Sequence, residues 1–195
     1  MRFMPAWGVL GLLLSACSSP DFAHPPPEVY AAPLPGVING TWKNEEDNGV
    51  RVRLQSEPDG ALRMYFSAPP DEAEPPPPAP FVARTMHFDN SDWLLLDMRA
   101  MAEWQGEKFP GNASYILIRV ELENPDRLCG IELNATLFME AINSGKLAGS
   151  VEQKNQYLPP KVIVTAPGTE WVKWWQELPA AARSDGPRWC FQRDK

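Results

Sequence analysis

Residues 115–122 read Tyr-Ile-Leu-Ile-Arg-Val-Glu-Leu, with Ile116, Ile118, Val120 and Leu122 at every second position. A period of two places those side chains on one face of a strand, because successive Cβ atoms point to opposite sides. The pattern recurs along the chain. Val50, Val52 and Leu54 alternate with arginines, and Leu62, Met64 and Phe66 alternate after Pro58-Asp59-Gly60. Two alternating runs around a Gly turn signal a β-hairpin. A chain written this way buries one face of each strand, which restricts it to a sheet curled around its own core.

Further runs extend the series. Gly40-Thr41-Trp42-Lys43 reads as an opening strand, and Phe81–Phe88 as another, ended by Asp89-Asn90-Ser91-Asp92. Residues 93–98 are apolar on both parities until Asp97, as in a central strand. Residues 128–133 return after Asn124-Pro125-Asp126, and shorter strands are expected over 150–157, 162–164 and 188–193. Cys129 shares parity with Ile131 and Leu133 and is expected to point inward.

Twice the period changes. Leu137, Phe138, Ala141 and Ile142 recur at helical spacing, with Asn134 or Thr136 available as a cap and Asn143-Ser144-Gly145 as a stop. Trp171, Trp174, Trp175 and Leu178 fall at i, i+3, i+4 and i+7, one apolar helix face. That stripe packs on a sheet or, in a sharper reading, forms a ligand platform. Residues 99–113, with Met101, Trp104 and Phe109, read as a core-covering loop or as a short helix plus turn. Residues 69–80, with four consecutive prolines, read as a stiff exposed connector. The expectation is a mainly β chain with two helices: an antiparallel β-barrel or strongly curved sheet of about nine or ten strands. It forms a single domain over residues 37–195.

The N-terminus has a different character. One positive charge at Arg2 precedes an apolar run over residues 4–14. That run is shorter than the roughly 20 residues of a membrane helix and suits a secretory signal over residues 1–16. Its end, Leu14-Ser15-Ala16-Cys17, resembles the lipobox of bacterial lipoproteins. The resemblance implies cleavage before Cys17, lipidation of Cys17 and membrane attachment through several acyl chains. Ser18 follows Cys17 where an inner-membrane retention signal has Asp, so the resemblance implies the outer membrane, with the domain facing the periplasm. Residues 17–36 are proline-rich and read as an extended tether holding the domain off the bilayer by up to ~60 Å. His24 lies in this stretch.

Composition narrows the chemistry. Loss of Arg2 with the leader takes the formal charge from -7 to -8. An acidic surface argues against a nucleic-acid groove. With Cys17 lipidated, Cys129 and Cys190 remain in an oxidising compartment, free to pair or to stay as buried thiols. No GxSxG, HExxH or phosphate-cradling glycine loop occurs. His87, on an expected strand beside an Asp/Asn-rich turn, is a candidate base with a structural or exposed histidine as the alternative. Asp89, Asp92 and Asp97 miss the EF-hand spacing, and Glu45-Glu46-Asp47 reads as an acidic hairpin. No enzyme activity, cofactor or metal is expected.

Within the domain, Gly40-Thr41-Trp42 resembles the Gly-X-Trp of lipocalins, and the order of late strand, helix 170–178 and last strand is similar to theirs. The resemblance implies a terminal arginine, Arg188 or Arg193, over Trp42. No Thr-Asp-Tyr-like motif follows, and the helix at 137–142 departs from the family pattern. Residues 115–193 also resemble uncharacterised bacterial lipoproteins. Together these features suggest a binding domain for an apolar or lipidic ligand, with Trp42, Trp104, Trp171, Trp174 and Trp175 as candidate contacts. The alternative is an envelope assembly protein that binds a periplasmic protein partner.

Overall fold

The computed structural model of the chain describes residues 19–45, 51–67, 79–109, 115–153, 158–183 and 185–194. Its strands are β1 (Asp21–Phe22), β2 (Gly40–Asn44), β3 (Arg51–Ser56), β4 (Ala61–Ser67), β5 (Phe81–Phe88), β6 (Ser91–Asp97), β7 (Tyr115–Asn124), β8 (Arg127–Leu133), β9 (Gly149–Glu152), β10 (Lys161–Val164) and β11 (Asp185–Arg193). The helices are α1 (Met98–Trp104), α2 (Ala135–Asn143) and α3 (Gly168–Glu177).

Strands β2 to β8 each pair antiparallel with the next, and β11 inserts antiparallel between β8 and β2. The result is a closed eight-stranded barrel, the first of the two architectures expected. Closure removes the sheet edges that would otherwise invite pairing with other chains. The period-two residues face inward: Trp42, Val52, Leu54, Leu62, Met64, Leu94, Ile116, Ile118 and Leu128 form one buried cluster.

A second core lies outside the barrel wall. Phe22, Met86, Phe88, Trp93, Leu95, Leu117, Leu133, Phe138, Trp171 and Trp175 pack together beneath α2 and α3. This explains why β6 is apolar on both parities. Leu94 and Leu96 fill the barrel, whereas Trp93 and Leu95 serve the outer core. Phe88 stacks on Trp93 at 4.9 Å between ring centroids, and Trp175 meets Trp93 edge-on at 6.2 Å. Helix α2 therefore does not interrupt the barrel; the excursion from α2 through β9, β10 and α3 lies outside it, and β11 then completes it.

Local chemistry fixes the joins. Asp89 and Asn90 both have φ near +55° in the two-residue turn between β5 and β6, a conformation that Asp and Asn tolerate. Asp89 also accepts from the Arg183 guanidinium and from Trp175 Nε1 (3.2 Å), tying this turn to the end of α3. Arg183 Nε donates to the Leu178 carbonyl at 3.0 Å, a basic cap on that helix. Asn134 Oδ1 accepts from Thr136 N at 2.9 Å and starts α2.

Two expectations need correction. The described residues hold three α-helices rather than two, because Asp97 caps Arg99 and Ala100 and turns the ambiguous segment into α1. The proline-rich stretch is not a free tether over the residues described. Phe22 is fully buried in the outer core, and β1 runs parallel to β10 and antiparallel to β7. Farther along, Trp171 Nε1 donates to the His24 carbonyl at 3.2 Å, and a Cβ on Gly168 would collide with the Pro25 carbonyl. Proline fixes φ without forbidding a strap that bonds through its neighbours.

Cys129 is buried and shares a face with Ile131 and Leu133, the last of which packs in the outer core, while Cys129 itself still borders the inner cavity. The alternate residues Leu128 and Gly130 line the inside. Cys129 and Cys190 stand directly opposite each other across β8 and β11 and form a disulfide. The proline run of residues 75–78, Glu46, Asp47 and Cys17 lie outside the described residues.

Candidate functional site: the barrel interior

One end of the barrel is closed by its own approach segment. Ala32 N donates to the Thr85 carbonyl at 3.1 Å, and Thr85 Oγ1 returns a bond to the Ala32 carbonyl at 2.6 Å. Ser56 Oγ donates to the Leu34 carbonyl, and Asn39 Oδ1 accepts from Ser56 N at 2.7 Å. These bonds hold Leu34 (4% exposed) and Ile38 (1%) as a stopper in the inner core. Neither residue stood out in the sequence. The available signal was that each is an isolated aliphatic beside prolines, where a solvated linker needs none.

Trp42 stands against this stopper, fully buried, with Nε1 donating to the Ile38 carbonyl at 2.7 Å. Arg193 lies over its ring, 4.4 Å from the centroid. The same guanidinium donates to the carbonyls of Pro125 (2.8 Å), Asn39 (3.0 Å) and Val37. It thus joins the β7–β8 turn, the stopper and the first barrel strand. Gly40 permits the approach: its φ is +140°, and a Cβ there would stand 2.7 Å from Arg193 Nη1. Arg193, and not Arg188, takes this place. Arg188 instead joins an ion-pair cluster on the outer wall with Glu121 and Glu123.

Toward the middle of the barrel, Trp189 lies opposite Gly130. A Cβ on Gly130 would overlap the six-membered ring of Trp189, so the glycine is the space the indole occupies. Trp189 Nε1 is buried and has no hydrogen-bond acceptor among the described residues. An unpaired buried donor carries a desolvation cost of roughly 1–3 kcal/mol. Beside it is an apolar cavity of about 60 Å³, bounded by Leu54, Met64, Phe66, Val120, Trp189 and Phe191, with Leu34 and Ile38 at the stopper. That is room for a few atoms; an apolar cavity of ~150 Å³ accepts benzene. Any larger guest must displace side chains, and Phe66, Val120, Leu122, Trp189 and Phe191 are among the partly exposed residues of this core.

The other candidate tryptophans divide between the two cores. Trp104 on α1 covers Phe66 and Phe81, with centroids 5.7 and 6.1 Å away, and Nε1 donates to the Ala79 carbonyl. Trp171 and Trp175 are buried in the outer core, and Trp174 meets Phe138 at its margin. The helix stripe is therefore packing, not a platform, and of the five only Trp42 and Trp104 belong to the barrel. Trp189 was not singled out from the sequence.

The acidic and basic groups are engaged elsewhere. His87 Nδ1 and Asp92 Oδ1 are 2.8 Å apart across the β5–β6 hairpin, both partly exposed. Asp97 caps α1, and Asp89 holds Arg183. Among the described residues, no group of three His, Cys, Asp or Glu side chains could hold a metal ion. On the outer wall Arg127 bonds Glu45 and Glu123; its hydrogen bonds draw the Glu45 carboxyl below its ordinary value and hold the guanidinium firmly charged. Burial raises the Asp21 carboxyl, with Lys161, 2.9 Å away, pulling against it. No helix among the described residues is long and apolar enough to cross a membrane. Comparison of the chain with protein-family models, curated proteins and solved structures gave no match.

Proposed function

We propose that this chain is an outer-membrane lipoprotein, anchored through Cys17, whose barrel binds a small apolar or amphipathic ligand and catalyses nothing. The observation that carries the reading is the inner cavity: an apolar void of about 60 Å³ in a closed barrel, lined in part by Leu54, Met64, Trp189 and Phe191. A void lined by hydrocarbon stays dry and favours an apolar guest. Trp189 is one of the side chains that such a guest would touch. The cavity's size implies that the ligand enters by moving Phe66, Met64 or Phe191 rather than by filling a preformed chamber.

The anchor rests on the lipobox resemblance, and its test is direct. Cys17→Ser is expected to abolish both leader processing at this site and membrane retention; normal fractionation of the variant with the membrane defeats the anchor. The pocket is tested by native mass spectrometry of the delipidated domain purified from its own host. A reproducible co-purified small molecule is the expected result. A clean ligand-free mass, with a periplasmic protein recovered in stoichiometric amount, would overturn the pocket in favour of an assembly role.

A further inference from the structure

Covalent geometry sets how far the folded domain can stand from Cys17. Only Ser18 separates Cys17 from Ser19, which is itself buried, and β1 begins at Asp21. Two residue steps span at most about 7 Å. Where the chain emerges follows from the register. Asp21 pairs with Ile163 and Phe22 with Val164 in parallel, so the residues before Asp21 run back beside Lys161. Lys161 Nζ reaches Asp21 Oδ2 at 2.9 Å. Just beyond Lys161 lie Pro160, Pro159 and Leu158. Leu158 is 48% exposed, and its carbonyl accepts a bond from Gln153 Nε2 at 2.7 Å.

We infer that the surface formed by Leu158, Pro159 and Pro160 at the approach to β10 lies against the phospholipid interface. The inference depends on lipidation of Cys17. A diacylglyceryl group on that sulfur holds it at headgroup depth, and about 7 Å of chain leaves no room for a hydrated gap beneath the domain. The surface beside the exit point is therefore brought to the bilayer. It presents two prolines, an exposed leucine and a lysine whose charge Asp21 balances, which suits an interface of mixed polarity.

The test uses the full-length acylated protein in phosphatidylethanolamine–phosphatidylglycerol vesicles. Leu158→Cys and, as a reference, Val82→Cys on β5 (also 48% exposed) are labelled with an environment-sensitive fluorophore. Spin-labelled phospholipid is expected to quench position 158 severalfold more than position 82. A flexible Gly-Ser linker of about 20 residues between Ser18 and Ser19, with an r.m.s. reach of ~25 Å, is expected to abolish that difference while flotation with the vesicles persists. Equal quenching at the two sites, or none at 158 while the N-terminal peptide carries its acyl mass, overturns the contact and leaves the anchor standing. An N-terminal peptide without acyl mass overturns both.

Discussion

The Arg193 guanidinium lies 4.4 Å from the centroid of the Trp42 ring and donates to carbonyls on both sides of the barrel seam. The last residue of the last strand thereby locks the first. The stopper, the β7–β8 turn and β2 meet at this one charge, so its loss is felt by all three. Arg193→Ala is expected to lower unfolding free energy by about 2 kcal/mol, combining cation–π and charge-assisted hydrogen-bond losses. Arg193→Lys should recover less than half of it, because an ammonium cannot serve three carbonyls in a plane. Urea titration measures both; full recovery by lysine would show that only the charge matters.

Gly130→Ala tests the opposite wall. The added methyl takes the place of the Trp189 ring, and overpacking of this kind costs ~1–3 kcal/mol. The tryptophan emission of the folded variant is expected to shift to the red as the indole is pushed toward solvent. Unchanged stability and emission would mean that Trp189 has another rotamer available inside the barrel.

The disulfide of Cys129 and Cys190 bridges a sequence separation of 61 residues that includes α2, β9, β10 and α3. A loop of that length implies about 4 kcal/mol of stabilisation through the unfolded state. Paired replacement by alanine is expected to cost this amount and to make the urea midpoint insensitive to reductant. A midpoint equal to that of the oxidised parent would refute the contribution.

The parts of this fold that are local in sequence were legible in it. Alternation marked the barrel strands, and the tryptophan stripe marked α3, because each reports which face of one element is buried. What was not legible is non-local. Nothing in residues 188–193 says that β11 lies between β8 and β2, so an open curved sheet remained equally consistent with the alternation. The docking of residues 19–38 is illegible for a related reason: proline content describes local conformation, whereas Phe22, Leu34 and Ile38 reveal themselves only through distant partners. Gly130 and Trp189 escaped notice because a glycine in a strand gains its meaning from the residue across the sheet.

Asp21 gives a pH signature with a definite sign. Burial raises its folded-state pKa above the ordinary 3.8, so the folded chain holds this proton more tightly than the unfolded chain. Its contribution to stability therefore falls as pH rises from that value through the folded pKa. Asp21→Asn is expected to gain stability relative to the parent as pH rises above about 3.8, and to show no such gain below it. Glu45, drawn down by Arg127, has the opposite sign, losing its contribution as pH falls, but it cancels in the comparison of parent with variant. A parent-to-variant difference that is flat with pH, or grows in favour of the parent, contradicts the assignment.

Phe22 decides whether the N-terminal strap belongs to the domain. Its ring contacts Phe138 at 5.4 Å and Trp171 at 4.6 Å, and it has no exposed surface. Phe22→Ala opens a cavity between β1, α2 and α3, for which losses of ~3–5 kcal/mol are typical. The strap bonds that follow, His24 to Trp171 and Ala23 N to the Val164 carbonyl, depend on the same docking. Two outcomes are expected together: a lower urea midpoint, and protease cleavage within residues 19–30 under conditions where the barrel stays intact. If the variant keeps the parent's midpoint and the parent is itself cleaved there, the segment is a free linker, the domain can stand away from the bilayer, and the contact inferred for Leu158 loses its geometric basis.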